Sequence, residues 1–131
     1  MPEPLNEQTR TLLDGKNFAT VATLNRDGAP QTSVVWIARD EDTVLFSTTA
    51  GRLKARNLAR DPRISLTVFD TDNPYQSIDI RGTAELIEDP EKTLPHTLSH
   101  KYLGENPPPE PDNVLRLIVR VTPTKITGFT A

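Results

Sequence analysis

Residues 77–88 read Ser77-Ile78-Asp79-Ile80-Arg81-Gly82-Thr83-Ala84-Glu85-Leu86-Ile87-Glu88. Apolar residues fall on even positions (Ile78, Ile80, Ala84, Leu86), and Asp79, Arg81, Thr83 and Glu85 fall on odd ones. A period of two describes a β-strand with one buried face. Gly82 interrupts the apolar series. A glycine inside a strand marks a bulge or the close approach of another backbone. A long strand that bends belongs to a curved sheet.

Upstream, Arg63 to Asp70 alternates in the same way, with Ile64, Leu66 and Val68 on one face. Phe18 to Leu24 and Gln31 to Ala38 read as two strands joined by Asn25-Arg26-Asp27-Gly28, a turn in which Gly28 is free to take positive φ. A second turn, Arg39 to Asp42, leads to a strand over 43–49. Downstream, Val114 to Val121 alternates, with Leu115, Leu117, Val119 and Val121 inward and Arg116 and Arg120 outward, and Lys125 to Phe129 adds a further β segment. Three short helices complete the chain. One covers 4–14, stopped by Gly15, with Leu5, Leu12 and Leu13 buried. One covers about 52–60, ended at Asp61-Pro62. The third is capped by Asp89 with Pro90 in its first turn, kinked or divided at Pro95 and closed by Gly104. The result is a mainly β protein of six to seven mostly antiparallel strands. Such a set closes into a barrel or packs as a sandwich, and Gly82 with the bend at Pro123 favours a small barrel.

The length of 131 residues suggests one domain, 1–131. The net charge of −3 disfavours general nucleic-acid binding. The absence of cysteine excludes disulfides, thiolate metal sites and thiol nucleophiles. His96 and His100 lie four apart, a spacing that helical metal ligands share, but no companion motif supports a metal site. No segment reaches the length of a membrane span and the acidic start lacks an apolar run, so a cytoplasmic protein with no membrane partner is expected. Pro107-Pro108-Pro109 and Pro111 mark an extended, exposed connector.

Against this acidic background, one stretch is basic. Ser47-Thr48-Thr49 ends a strand, and Gly51-Arg52-Leu53-Lys54-Ala55-Arg56-Asn57-Leu58 opens a helix with cations at Arg52, Lys54 and Arg56. Unpaired N–H groups at a helix start carry partial positive charge, so added cations there are locally unfavourable, and an anion repairs both. The pattern fits a phosphate; a solvated cationic helix fits it as well. Arg52 and Arg56 share a helical face that Lys54 does not, so the three do not form one stripe. On the strand before, Gln31 and Ser33 point to the same face, which suits edge hydrogen bonds to a flat heterocycle. Trp36, the sole tryptophan, reads either as a core or interface anchor or as a ring-stacking residue, and Tyr75 and Gln76 stand near the same mouth. No nucleophile elbow, Walker loop or dinucleotide fingerprint is present. Any catalysis is therefore expected to rest on a bound cofactor.

Four stretches in order carry a resemblance. They are Phe18 to Leu24 with the Asp27-Gly28-Ala29-Pro30-Gln31 turn; Ser33-Val34-Val35-Trp36; Arg52 to Leu58 followed by Asp61-Pro62-Arg63; and Ile80-Arg81-Gly82-Thr83-Ala84 with the later Lys101-Tyr102-Leu103-Gly104. The chain resembles the pyridoxamine 5'-phosphate oxidase-like split β-barrel superfamily, also called FMN-binding split barrels. Within it, the chain resembles the flavin/deazaflavin oxidoreductases that use coenzyme F420. The resemblance implies a homodimer with the cofactor in an interface groove. It implies a phosphate at Arg52, Lys54, Ala55, Arg56 and Asn57, and a ring beside Gln31, Thr32, Ser33, Val34, Val35, Ser47, Thr48 and Thr49. It also implies hydride transfer to a small-molecule substrate without a dedicated catalytic side chain, with Trp36, Tyr75 and Gln76 as weaker candidates for the substrate pocket. Two alternatives stand beside it: an FMN-binding oxidoreductase or electron carrier of the same fold, and a non-enzymatic dimeric module that binds haem, flavin or a partner.

Overall fold

The computed structural model describes residues 2–130, so Met1 and Ala131 of the expected 1–131 domain lie outside the described residues. The chain forms α1 (Glu7–Asp14), β1 (Phe18–Leu24), β2 (Pro30–Trp36), β3 (Ala38–Asp40), β4 (Thr43–Thr49), α2 (Leu53–Arg60), β5 (Arg63–Phe69), β6 (Gln76–Glu88), α3 (Thr93–Leu103) and β7 (Arg116–Thr130). All strand pairs are antiparallel, in one seven-stranded sheet of order β2-β1-β5-β6-β7-β4-β3. The fold is mainly β, as the alternation predicts.

The connection between β2 and β3 decides the shape. These strands occupy the two opposite edges of the sheet, yet only Ile37 separates them. One residue spans less than 4 Å of chain. The sheet must therefore curl until its edges meet. The edges meet without pairing, since no ladder joins β2 to β4 or β3. The result is a split barrel.

Inside it lie Val21, Val44, Phe46, Val68, Ile80, Val119 and Val121, all fully buried, with Leu12 and Leu13 of α1 and Leu58 of α2 sealing the ends. Gly82 sits at a register shift between β6 and β7. A Cβ there would lie 2.2 Å from the Thr122 carbonyl oxygen. Close backbone approach is thus the reason for this glycine.

Several local expectations are corrected. The strand expected over 31–38 breaks at Ile37, and Ala38 to Asp40, expected mostly as turn, form β3. The Ile37 N–H donates to the Tyr102 hydroxyl at 3.1 Å and its carbonyl accepts from Lys101 Nζ at 2.6 Å. Side chains of α3 thus replace the ladder bonds. The turn itself is tight, with Glu41 at φ +54°.

Pro90 is not in the first turn of α3, which starts at Thr93; Asp89 caps it from a preceding turn, accepting from the N–H groups of Thr93 (2.9 Å) and Leu94 (3.0 Å). Pro95 neither kinks nor divides α3. It stands in the first turn, where its missing N–H has no intrahelical role. Leu115 is exposed and not inward, because β7 begins one residue later. The expected outward Arg116 is half-buried.

Lys101 and Tyr102 tie α3 to both α1 and the strand break. Lys101 Nζ also donates to the Leu13 carbonyl at 2.8 Å, and the Tyr102 hydroxyl donates to the Asn17 carbonyl at 2.5 Å. Burial pushes the Lys101 ammonium down to about 8 from 10.5. The unfolded chain then holds more protons than the folded one between these values, so this group adds stability as pH rises through the window. Urea unfolding at pH 7.5 and 9.5 is expected to show this rise, and Lys101→Met is expected to reduce it.

Candidate functional site

The split between β2 and β4 holds a cavity of about 320 Å³. This volume is at the small end of the range for ligand pockets. Val34, Val35 and Trp36 of β2 form one wall, and Ser47, Thr48 and Thr49 of β4 form the other. β3 pairs only with Thr43, Val44 and Leu45, so the outer edge of β4 from Phe46 to Thr49 has no strand neighbour. Arg52 and Lys54 close one end; Pro95, Leu98, Pro107 and Arg116 close the other.

The start of α2 meets this cavity. Its N-cap is Arg52, whose side chain makes no capping hydrogen bond, and its first turn carries no acidic residue. The helix therefore presents N–H groups and two cations without a compensating carboxylate of its own. Burial, together with the neighbouring Arg52 charge, lowers the Lys54 ammonium from its ordinary value. A bound anion would offset both causes.

Thr48 is 3% exposed and lines the cavity, and its hydroxyl is the one buried side-chain polar atom without a hydrogen-bond partner among the described residues. Buried polar groups are nearly always satisfied, so this hydroxyl, in step with the core-facing Val44 and Phe46, is an exception at the cavity wall. Hydroxyls, helix N–H groups and cations together form a donor set that suits a phosphate-bearing group.

The other expected site residues lie elsewhere. Gln31 and Thr32 are exposed on β2 and Ser33 is half-buried beside them, none in the cavity wall. Ala55 is buried on the inner face of α2, and Arg56 is exposed away from the cavity. Asn57 is 1% exposed, and its amide donates to Thr23 Oγ1 at 3.0 Å and Asn25 Oδ1 at 2.9 Å. Arg60 Nη2 reaches Asn57 Oδ1 at 3.3 Å and also donates to the Leu24 carbonyl. These contacts fasten α2 to the end of β1, so Asn57 positions the helix from behind.

Trp36 packs inside the chain and also reaches the cavity. It lines the cavity and stacks on Tyr102, with ring centroids 5.0 Å apart and planes 6° from parallel. Tyr75 is exposed, and Gln76 lines a different groove of about 870 Å³ against α1. Among the described residues no group of three or more His, Asp or Glu side chains is arranged to hold a metal, and no helix is long and apolar enough to cross a membrane.

Sequence reasoning missed Arg116. Its Nε and Nη2 donate to Glu110 at 2.9 to 3.2 Å, while Nη1 reaches Ser47 Oγ at 3.4 Å. Glu110 also pairs with Lys92 at 3.2 Å. The guanidinium beside it, and then Lys92, hold the Glu110 carboxyl below its ordinary value. This cluster pins the proline run across the end of the cavity. The pairing of Arg116 with Thr49 on β4, visible only in the fold, sets Arg116 beside the hydroxyl strand.

The family model for pyridoxamine 5'-phosphate oxidase matches residues 5–129. The chain belongs to this family. A solved structure of an F420 reductase is similar to this family member at 32% identity, with a TM-score of 0.85 over 94% of this chain and 98% of that one. A conserved hypothetical protein from Mycobacterium tuberculosis shares the fold, with 24% identity and a TM-score of 0.79 over 98% and 86%. A curated pyridoxine/pyridoxamine 5'-phosphate oxidase from Kineococcus radiotolerans is 35% identical over 71 residues, which span 54% of this chain and 31% of that protein. Membership of the pyridoxamine 5'-phosphate oxidase family supports an oxidoreductase of flavin or deazaflavin type.

Proposed function

We propose that the chain is a reductase that binds coenzyme F420 in the split between β2 and β4 and passes a hydride from the reduced deazaflavin to a small organic acceptor. The observation that carries this reading is the cavity itself. It brings Arg52 and Lys54 to one end of a slot walled by Val34 to Trp36 on one side and Ser47 to Thr49 on the other. Similarity to an F420 reductase over nearly the whole chain supports the choice of deazaflavin. Arg52, Lys54 and the N–H groups opening α2 would hold the phosphate. Val34, Val35 and Trp36 would cover one side of the ring, and the β4 hydroxyls would satisfy its polar atoms. When bound and reduced, the cofactor supplies the transferable hydride. The protein's part is to orient it and to exclude water with Trp36, Leu98 and Pro107. A second copy of the chain would complete the groove over Val34, which is 65% exposed. Sedimentation at micromolar concentration is expected to give the mass of a dimer.

FMN is the second reading, favoured by the partial match to a pyridoxine/pyridoxamine 5'-phosphate oxidase. Titration of the purified chain with each cofactor, followed by absorbance and fluorescence, separates them. F420 is expected to bind at least tenfold more tightly than FMN. Co-purification with FMN would overturn that choice, and failure to bind either would favour a non-enzymatic binding module.

A further inference from the structure

A second cavity of about 510 Å³ adjoins the one in the split, against the proline run. The two share Pro95, Pro107 and Arg116 as walls. The second is lined also by Lys92, His96 and Glu110. Charge is uneven here. The walls of the two cavities carry four cations, Arg52, Lys54, Lys92 and Arg116, against one carboxylate, Glu110, whereas the chain as a whole has a net charge of −3. A phosphate between Arg52 and Lys54 leaves the second cavity with an excess positive charge.

Arg116 is placed to use it. Glu110 takes the Nε and Nη2 edge and fixes the plane of the guanidinium. The Nη1 edge has only a long contact to Ser47, and Arg116 borders both cavities. Fixed guanidinium edges bind carboxylates with directional, charge-assisted hydrogen bonds. Pro95 and Pro107 beside it offer flat apolar surfaces.

We propose that Arg116 selects the acceptor, its Nη1 edge receiving the carboxylate of a small unsaturated or aromatic acid whose apolar part lies on Pro95 and Pro107. This rests on the first cavity being the cofactor site. The substrate class is then an acid in which a conjugated double bond takes up the hydride and a proton from water completes the saturated product.

Trans-cinnamate and its neutral amide serve as matched probes. Their binding is measured by ligand-observed NMR on the cofactor-loaded protein and again without cofactor. The wild type is expected to prefer the acid at least tenfold, with the preference shrinking as salt is raised. Arg116→Met is expected to abolish the preference and Arg116→Lys to keep part of it, while cofactor affinity changes less than twofold in both. Equal binding of acid and amide by the wild type would overturn the proposal without involving any variant's folding. A loss of cofactor affinity in Arg116→Met would also overturn it, by assigning Arg116 to the cofactor. Failure of the wild type to bind either cofactor would instead count against the function on which the proposal rests, whatever the probes do.

Discussion

Gly82→Ala is expected to lower the stability of the chain by about 3 kcal/mol, at the upper end of the cost of overpacking. The added Cβ would meet the Thr122 carbonyl oxygen at 2.2 Å, the Thr122 carbonyl carbon at 3.0 Å and the Pro123 Cα at 3.2 Å. All three are backbone atoms, so no side chain can swing aside. Relief requires β6 and β7 to separate where the register shifts. These strands form the longest pairing in the sheet and run beside both β5 and β4, so the strain reaches the core and the site together. A loss of this size lowers the melting temperature by roughly 10 °C in a domain of this length. Gly128→Ala is the control on β7. Its Cβ would come no closer than 3.9 Å to the Ser77 carbonyl, an ordinary contact, and its melting temperature is expected to stay near that of the wild type. Thermal unfolding followed by circular dichroism checks both.

The second large effect is on binding. The double variant Arg52→Ala, Lys54→Ala is expected to weaken F420 by at least a hundredfold, and Lys54→Ala alone by about 1–3 kcal/mol, the worth of a hydrogen bond to a charged group. Stability is expected to hold or rise slightly, because the variant removes two like charges from a helix start. Arg56→Ala is the matched control, since Arg56 is exposed and outside the cavity wall. Fluorescence titration reads all three. Equal losses in Lys54→Ala and Arg56→Ala would place the phosphate outside the split.

Much of this was legible from the chain, because it depends on near neighbours. Apolar and β-branched content gives β1 with its observed limits, Phe18 and Leu24. Gly104 was readable as a helix stop and takes φ +75°, accepting no strain there. The run of cations at the start of α2 was readable, and the structure places Arg52 and Lys54, but not Arg56, at the cavity. What stayed hidden depends on distant residues. Ile37 looks like the interior of a strand until Lys101 and Tyr102 arrive from more than sixty positions away. Asn57 looks like part of a phosphate stretch until Thr23 and Asn25 engage its amide. Arg116 alternates as an outward residue, and nothing local says that α3 and the proline run will roof that face. Pro95 was misread for a different reason. The helix starts later than Asp89 implies, and the meaning of a proline depends on its distance from that start.

The single-residue link at Ile37 has a consequence for how this fold can vary. In a barrel with continuous pairing, strand number and stagger set the lumen, and its bore changes only if hydrogen bonds are re-registered. Here the closure is a covalent hinge at one end of an unzipped seam. The aperture between β2 and β4 is governed by the side chains that face across it, Val35 and Trp36 against Ser47 to Thr49. Substitutions at these positions can widen or narrow the slot while every ladder bond stays in place. The width of the slot is therefore set by side chains, separately from the ladder that builds the barrel.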